Sequence, residues 1–171
     1  FCAFEILYWC GLRVGELLAL TPADFDFEKS TLRVNKSYQR LEGEDIITDP
    51  KTPCSIRTIT MPEFLKDEIK EYIGMLYGIG DNDRIFDFTK SFLHHEMKRG
   101  SEAAGVKKLT LHQLRHSHVS LLINMGFTAV AIAKRVGHES LDSTYRYAPM
   151  FPSEQAEMAV KLNIERCENV G

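Results

Sequence analysis

The chain has 171 residues, 44% of them hydrophobic, and a net charge of −3, which suits one globular domain with a real core and argues mildly against nucleic-acid binding. It contains no apolar run long enough to span a bilayer and no basic flank of a signal peptide, so we predict a soluble, cytoplasmic protein. Its four cysteines are widely spaced, and we therefore predict free thiols rather than disulfides or a paired metal site.

The first ten residues form an apolar, aromatic-rich run in which Glu5 is the single charge, and this pattern predicts a buried helix. The run is already under way at residue 1 without a methionine or a cap, so we expect residues 1–171 to be a single domain of a longer protein. A helical pattern resumes at Glu16 and stops at Thr21-Pro22. Arg13 lies between two glycines and two apolar segments, which predicts that it is held in place with Glu16 as its orienting partner.

Three stretches at 31–38, 45–48 and 56–61 have the β-branched content and alternation that predict three antiparallel strands. Lys51 falls in the loop between the second and third of them, where prolines on either side supply turn signals. A lysine at a hairpin tip is usually only solvated, so this position alone does not indicate a function.

Apolar residues at helical spacing predict further helices at 62–77, from a Ser91 cap to about Ala104, and from Leu111, where Thr110 and Gln113 form a capping box. A shorter helix begins with Thr128 as its N-cap and ends at Gly137. After two prolines, Ser153 is predicted to cap a last apolar helix within 153–171.

Polar residues suited to phosphate chemistry are concentrated between His112 and Tyr147. The spacing of His112, Arg115 and His116 places them on one face of a helix near its N-terminus, where the macrodipole favours an anion. His138 follows a glycine, and Tyr147 comes nine residues later. Arginine binds phosphate oxygens, histidine donates or moves a proton, and tyrosine attacks phosphorus. Each residue alone is more often a packing or capping residue, but the combined spacing favours phosphoryl transfer.

The charge is unevenly distributed along the chain. Residues 107–147 contain six lysines and arginines against two carboxylates, a local charge of +4. The excess of acidic residues lies in 63–71 and in 154–168, both on helical patterns that can face away from DNA. The net charge therefore leaves room for a basic, nucleic-acid-binding face, to which Lys98, Arg99, Lys107 and Lys108 are candidate contributors.

Five motifs resemble those of the catalytic domain of the tyrosine recombinases, the phage integrase family, and occur in the family's order over residues 11 to about 150. The sequence HQLRH at 112–116 resembles the H-x-L-R-H box, GH at 137–138 resembles the G-H box, and Tyr147 stands where the family has its nucleophile. GLRVGEL at 11–17 is similar to the first arginine box, and PKT at 50–52, with Ser55 and Arg57 after it, is similar to the β-hairpin lysine segment.

The resemblance implies a mainly α fold with a small three-stranded antiparallel β-sheet, and a site-specific recombinase that cleaves and rejoins DNA through a 3′-phosphotyrosine, for integration or excision of a phage or mobile element. Tyr147 would be the nucleophile, Arg13 and Arg115 would bind the non-bridging oxygens, and His138 would be a further donor. His112 would accept the tyrosine proton and Lys51 would protonate the leaving 5′ oxygen. No metal or other cofactor is implied.

The resemblance also implies partners and missing parts. Double-stranded DNA would be bound by a homotetramer in which residues 153–171 form an exchanged C-terminal helix, whereas this fragment would be monomeric in solution. Family members generally carry an N-terminal helical domain that embraces DNA, and we expect it to lie outside this chain.

Three other functions are consistent with parts of the sequence. A type IB topoisomerase would share the tyrosine chemistry but relax DNA as a monomer. A metal-dependent hydrolase would use the histidines at 112, 116, 118 and 138, although Arg115 lies among them and no carboxylate falls between Lys107 and His138 to complete a hard-metal site. A catalytically silent DNA-binding module would need only charge, and the full set of six polar residues argues against it.

Overall fold

The computed structural model describes residues 1–50, 52–138 and 144. Lys51, Tyr147 and the predicted helix within 153–171 therefore lie outside the described residues. Among those described there are six α-helices: α1 Cys2–Trp9, α2 Val14–Leu18, α3 Glu63–Met75, α4 Lys90–Ala103, α5 Leu111–Asn124 and α6 Ala129–Val136. The strands in the same part of the chain are β1 Phe25–Asp26, β2 Thr31–Val34, β3 Ser37–Leu41, β4 Glu44–Thr48 and β5 Arg57–Thr60. The mainly α fold with a small antiparallel sheet is confirmed.

The strands form two sheets, and this partition differs from the predicted one. The three-stranded sheet has the order β1-β2-β5, with Leu32 opposite Ile59, while β3 and β4 form a separate hairpin. The predicted strand at 31–38 is divided because the chain leaves the first sheet at Lys36, whose ammonium binds the Asp24 carboxylate at 2.6 Å. Val34 and Tyr38, on either side of the break, are 1% and 6% exposed, so the buried positions keep an even spacing that does not reveal the break.

The core is organised around α1, as its apolar run predicts. Ile6 and Leu7 are almost fully buried, and α1 packs against α2, α3 and α5. A second, smaller cluster lies where α5 meets α6 and is formed by Val119, Ile123, Ile132 and Val136. The cluster attaches α6, whose C-terminal end carries Gly137 and His138, to the rest of the molecule. No helix in the described part of the chain is both long and apolar enough to cross a membrane.

Most predicted helix ends are confirmed by local hydrogen bonds. The Thr110 hydroxyl accepts from the Gln113 amide at 3.3 Å, and the Gln113 side chain accepts from the Thr110 amide at 2.6 Å. Thr128 caps α6, which ends at Gly137 in the left-handed region. Ser91 was the wrong cap for α4: Thr89 accepts from the Phe92 amide at 3.3 Å, because its backbone is extended whereas Ser91 lies inside the first turn.

The described cysteines are free thiols, as predicted, with Cys2 and Cys10 buried and Cys54 exposed. Cys167 lies outside the described residues.

Candidate active site

Arg13 is held in place by the helix that follows it. It is the N-cap of α2, and its amide and guanidinium donate to the two carboxylate oxygens of Glu16 at 2.8 and 2.9 Å. A third bond runs from the guanidinium to the carbonyl of Gly137 at 3.1 Å. The side chain stays 42% exposed, so a charge-bearing ligand can reach it. The prediction that Glu16 orients Arg13 is confirmed.

Arg115 is buried on α5 and connects two other segments. Its guanidinium donates to the carbonyl of Gly11 at 2.6 Å and to that of Val136 at 2.6 Å. Arg115 thus holds the connection between α1 and α2 against the C-terminal end of α6, which are far apart in the sequence.

His112 and His116 lie on the outer side of the same helix, where their rings meet edge to face with centroids 4.4 Å apart. Both imidazoles are exposed, whereas Arg115 between them turns into the interior. Partial burial lowers the pKa of His112, and the positive charges of His116, Arg115 and Arg13 lower it further. The imidazole of His112 is therefore neutral at pH 7, as a proton acceptor must be.

His118 is a core residue that shapes the first arginine motif. It is 2% exposed, and burial lowers its pKa to about 4. Gly11 has a φ of +64°, and a Cβ there would lie 2.6 Å from the His118 ring. Only glycine accommodates both the positive φ and this approach, which leaves the Gly11 carbonyl free to accept from Arg115.

His138 follows the left-handed turn at Gly137 and is partly buried. Its Nδ1 lies 2.8 Å from the hydroxyl of Thr144, a residue with no exposed surface. Burial, followed by the charges of Arg115 and Arg13, lowers the pKa of His138 to about 4. The ring is thus neutral at pH 7 and has one nitrogen bound to a hydroxyl.

The structure therefore brings together Arg13, His112, Arg115 and His138, which the sequence analysis had singled out. The Arg13 and Arg115 guanidinium groups donate to the neighbouring carbonyls of Gly137 and Val136, so two positive charges meet at the end of α6, where an anion is favoured. An open cavity of about 440 Å³ adjoins it, lined by Arg13 and Gly137 and by Pro50 and Thr52 on either side of Lys51. Lys51 and Tyr147 themselves lie outside the described residues, so their predicted roles stay predictions.

The four histidines proposed as ligands in the metal-hydrolase alternative do not form a ligand set. Within the described ranges, no group of three or more His, Cys, Asp or Glu side chains is arranged to hold a metal ion.

Comparison with known proteins assigns the family. Residues 1–154 match the model of the phage integrase family. The chain belongs to the phage integrase family.

Among curated proteins, this integrase-family chain resembles the ICEBs1 integrase of Bacillus subtilis strain 168, with 31% identity over 176 residues that cover 94% of this chain and 47% of that protein. It also resembles the integrase of Staphylococcus phage L54a, with 30% identity over 94% of this chain and 50% of that protein. The chain thus spans about half the length of the curated relatives it matches.

Solved structures give the same assignment. The Tn1549 transposon integrase in complex with circular intermediate DNA is 25% identical, with a TM-score of 0.74 over 97% of this chain and 59% of that one. XerA recombinase is 25% identical, with a TM-score of 0.69 over 92% of this chain and 55% of that one.

Three residues that stabilise this integrase-family site were not singled out from the sequence. Thr144 binds His138, and Arg57 binds both carboxylate oxygens of Glu16. Arg135 donates to the His118 ring at 3.2 Å and to the carbonyls of Trp9 and Thr60. Arginine at an interior-facing strand position was the signal that could have found Arg57, because a buried guanidinium needs a carboxylate partner.

Candidate surface contacts outside the site are partly neutralised. Arg99 pairs with Glu96, and Lys98 lies 3.8 Å from Glu102. These basic residues are therefore weaker candidates for phosphate contacts than their charge alone indicates.

Proposed function

We propose that this chain is the catalytic domain of a site-specific DNA recombinase that cleaves and rejoins strands through a 3′-phosphotyrosine at Tyr147. The observation that carries the proposal is the convergence of Arg13 and Arg115 on a locus shared with two neutral histidines, His112 and His138. Membership of the phage integrase family and likeness to an integrase solved with DNA support it.

In the proposed reaction the tyrosine oxygen bonds to phosphorus and the 5′ oxygen of the next nucleotide leaves. Negative charge grows on the non-bridging oxygens, and the guanidinium groups of Arg13 and Arg115 stabilise it. The exposed edge of Arg13 suits direct contact. Arg115 contributes through its charge, which is buried and therefore weakly screened.

The two histidines have different proposed roles. His112 accepts the phenolic proton, for which its lowered pKa and exposure are suitable. His138 is proposed to have its ring hydrogen on Nε2, where it is available to a phosphate oxygen, while Nδ1 accepts from the Thr144 hydroxyl 2.8 Å away. Proton acceptance by His112 needs a neutral ring, and burial followed by the surrounding positive charges lowers the pKa of His112 in that direction.

Lys51 is proposed to protonate the leaving 5′ oxygen. Pro50 and Thr52 line the same cavity as Arg13, which supports a lysine reaching this site. An ammonium suits the role because, unlike a guanidinium, it readily gives up a proton. The phosphotyrosine bond conserves the phosphodiester energy, so the reverse attack by a 5′ hydroxyl rejoins DNA without a nucleotide or metal.

The proposed partner is double-stranded DNA, bound by four copies of the protein with residues 153–171 exchanged between neighbours. Residues 1–171 would then be one catalytic domain, acting on a phage or mobile element in the cytoplasm. Positive potential at the site and the DNA-bound relative support the nucleic-acid partner.

The test is trapping on a nicked suicide substrate, from which the short fragment diffuses away and cannot be rejoined. The unchanged protein should accumulate a covalent DNA adduct, and Tyr147→Phe should bind DNA without forming it. A second tyrosine, Tyr145, lies two residues before Tyr147 in the sequence, and the matched variant Tyr145→Phe should form the adduct normally. No adduct with the unchanged protein would contradict the function, and a peptide mass placing DNA on Tyr145 would contradict the assignment. Strand exchange between two duplexes, as opposed to plasmid relaxation alone, distinguishes a recombinase from a topoisomerase.

A further inference from the structure

Arg57 is a buried arginine on β5, six residues after Lys51 in the sequence. It is 8% exposed, and its Nη1 and Nη2 donate to the two oxygens of Glu16 at 2.9 Å each. The pair is bidentate and its side chains are almost fully buried, at 5% and 6% exposure. This geometry makes it one of the more directional ion pairs that a protein can form.

Two further donors of Arg57 are also used within the protein. Nε donates to the carbonyl of Arg135 at 2.9 Å, and Nη1 also donates to that of Ser55 at 3.1 Å. With four hydrogen bonds made and its side chain buried, Arg57 is not placed to bind a substrate phosphate. Any influence on the reaction must act through the groups that it holds.

Glu16 transmits the position of Arg57 to Arg13. Each of its oxygens accepts one bond from Arg57 and one from Arg13, through the Arg13 guanidinium on one oxygen and the amide on the other. Burial alone would raise the pKa of Glu16, but hydrogen bonds and charge from Arg57, then from Arg13, lower it. Glu16 therefore stays ionised and fixes the two guanidinium groups relative to each other.

Arg57 also bounds the other partner of Arg13, the Gly137 turn. A Cβ at Gly137 would come within 3.0 Å of Arg57 Nη1 and 3.1 Å of the Cys54 carbonyl, at a φ of +69°. The turn is thus packed directly on Arg57, and its carbonyl accepts from Arg13 at 3.1 Å. The two hydrogen-bond partners of the Arg13 guanidinium are the Glu16 carboxylate and the Gly137 carbonyl, and Arg57 contacts both Glu16 and the Gly137 turn.

We propose that Arg57 is a positioning residue for the strand-cleavage reaction. It aligns the Arg13 guanidinium with the scissile phosphate, and it fixes Ser55 and the Gly137 turn to the same point. The inference rests on the proposed function. It predicts that changing the geometry of Arg57 slows strand cleavage, because Arg13 then stabilises the negative charge on the phosphate less well.

The test compares two suicide substrates that differ only at the scissile linkage, one a phosphodiester and the other an uncharged methylphosphonate. Arg57→Lys keeps a cation beside Glu16 but cannot present a guanidinium fork, so the buried charge stays paired and the fold is retained. Arg13→Ala shows how much the neutral linkage reduces the rate defect when the Arg13 guanidinium is lost. Arg84→Met is the matched control, because Arg84 is also a mostly buried arginine in ion pairs, with Asp45 and Asp87, and its partners include neither Glu16 nor Arg13.

On the phosphodiester, Arg57→Lys should slow adduct formation about a hundredfold with DNA binding unchanged, since misplacement of a catalytic group costs on this scale. On the methylphosphonate the loss should shrink in parallel with that of Arg13→Ala. Arg84→Met should lower the Tm yet cleave both substrates at the unchanged protein's rate below that temperature.

Two kinds of result would overturn the inference. Wild-type cleavage by Arg57→Lys, or an equal loss on both substrates while Arg13→Ala is relieved, would reduce Arg57 to a stabilising residue. If the neutral linkage did not reduce the defect of Arg13→Ala, Arg13 would not be stabilising the phosphate charge. Arg57 could then not act by positioning Arg13. Failure of the proposed function looks different, because the unchanged protein would then form no adduct on either substrate.

Discussion

The guanidinium of Arg13 donates a hydrogen bond to the main-chain carbonyl of Gly137 at 3.1 Å, across 124 positions of sequence. Arg115 makes two comparable long-range bonds but is buried, whereas the Arg13 side chain is 42% exposed. Both arginines are therefore proposed to stabilise charge on the phosphate. They differ in that Arg115 holds the interior together, whereas Arg13 is partly exposed.

Replacing each arginine by alanine should distinguish its contribution to folding stability from its contribution to DNA cleavage. Arg115→Ala leaves the buried carbonyls of Gly11 and Val136 without this donor, which should lower the free energy of unfolding by about 3 kcal/mol. Arg13→Ala should lower it by about 1 kcal/mol or less, because Glu16 keeps its bonds to Arg57.

Both changes should slow DNA cleavage on the order of a hundredfold or more, with no effect of EDTA. Denaturant unfolding and adduct formation measure the two effects, with the exposed Arg99→Ala as control. Equal stability of the two variants, or activity that a chelator abolishes and zinc or manganese restores, would contradict this assignment.

The role of Lys51 as an acid predicts a chemical rescue. Lys51→Ala should cleave an ordinary suicide substrate slowly and a 5′-bridging phosphorothiolate at nearly the normal rate, because sulfur leaves without needing a proton. Adduct formation on both substrates measures the effect, with Lys29→Ala, an exposed lysine paired to Asp26, as control. A Lys51→Ala defect of the same size on both substrates would leave Lys51 as a DNA contact.

Folding stability should fall in mild acid because of one buried imidazole, that of His118, and one partly buried imidazole, that of His138. Burial, helped by nearby arginines, lowers the pKa of His118 and of His138 to about 4, from 6.5. Between these values the unfolded chain binds more protons than the folded one. The free energy of unfolding should therefore drop as the pH falls through that window, by at most about 1.4 kcal/mol per pH unit for each histidine.

Denaturant unfolding at several pH values measures this slope. His118→Gln should reduce it, because the glutamine carbonyl can still accept from Arg135 but does not titrate. His94→Gln, at an exposed position on α4, is the surface control. An unchanged slope in His118→Gln would show that the acid sensitivity arises elsewhere.

The predicted C-terminal helix should matter for assembly rather than for cleavage. Deleting residues 153–171 should leave a folded domain that still forms the adduct but no longer assembles tetramers on paired sites or completes strand exchange, because head-to-tail exchange closes the ring. Native gel analysis and a two-duplex recombination assay measure this. Normal recombination by the truncated protein would show that these residues only pack within their own subunit.

The sequence by itself determined the features that depend on near neighbours. The start of α5 follows from Thr110 and Gln113, which bond across three positions, and the end of α6 follows from a glycine at a positive φ. The spacing of Arg13, His112, Arg115 and His138 was sufficient to indicate the site and its family. Local hydrogen bonds and motif spacing are properties of short segments, and they can be read without knowing the fold.

Only the tertiary structure decided how these segments are held together. Arg57 binds Glu16, 41 positions away in the sequence, and Arg135, 78 positions away. The periodicity of β5 predicts that Arg57 lies on a strand, but it does not predict which residues Arg57 binds. The division of 31–38 between two sheets could not be predicted for a related reason. The spacing of inward-facing residues along a segment does not show which strand each residue pairs with. Long-range pairing depends on which surfaces the folded chain brings into contact, and that is settled by packing of the whole domain.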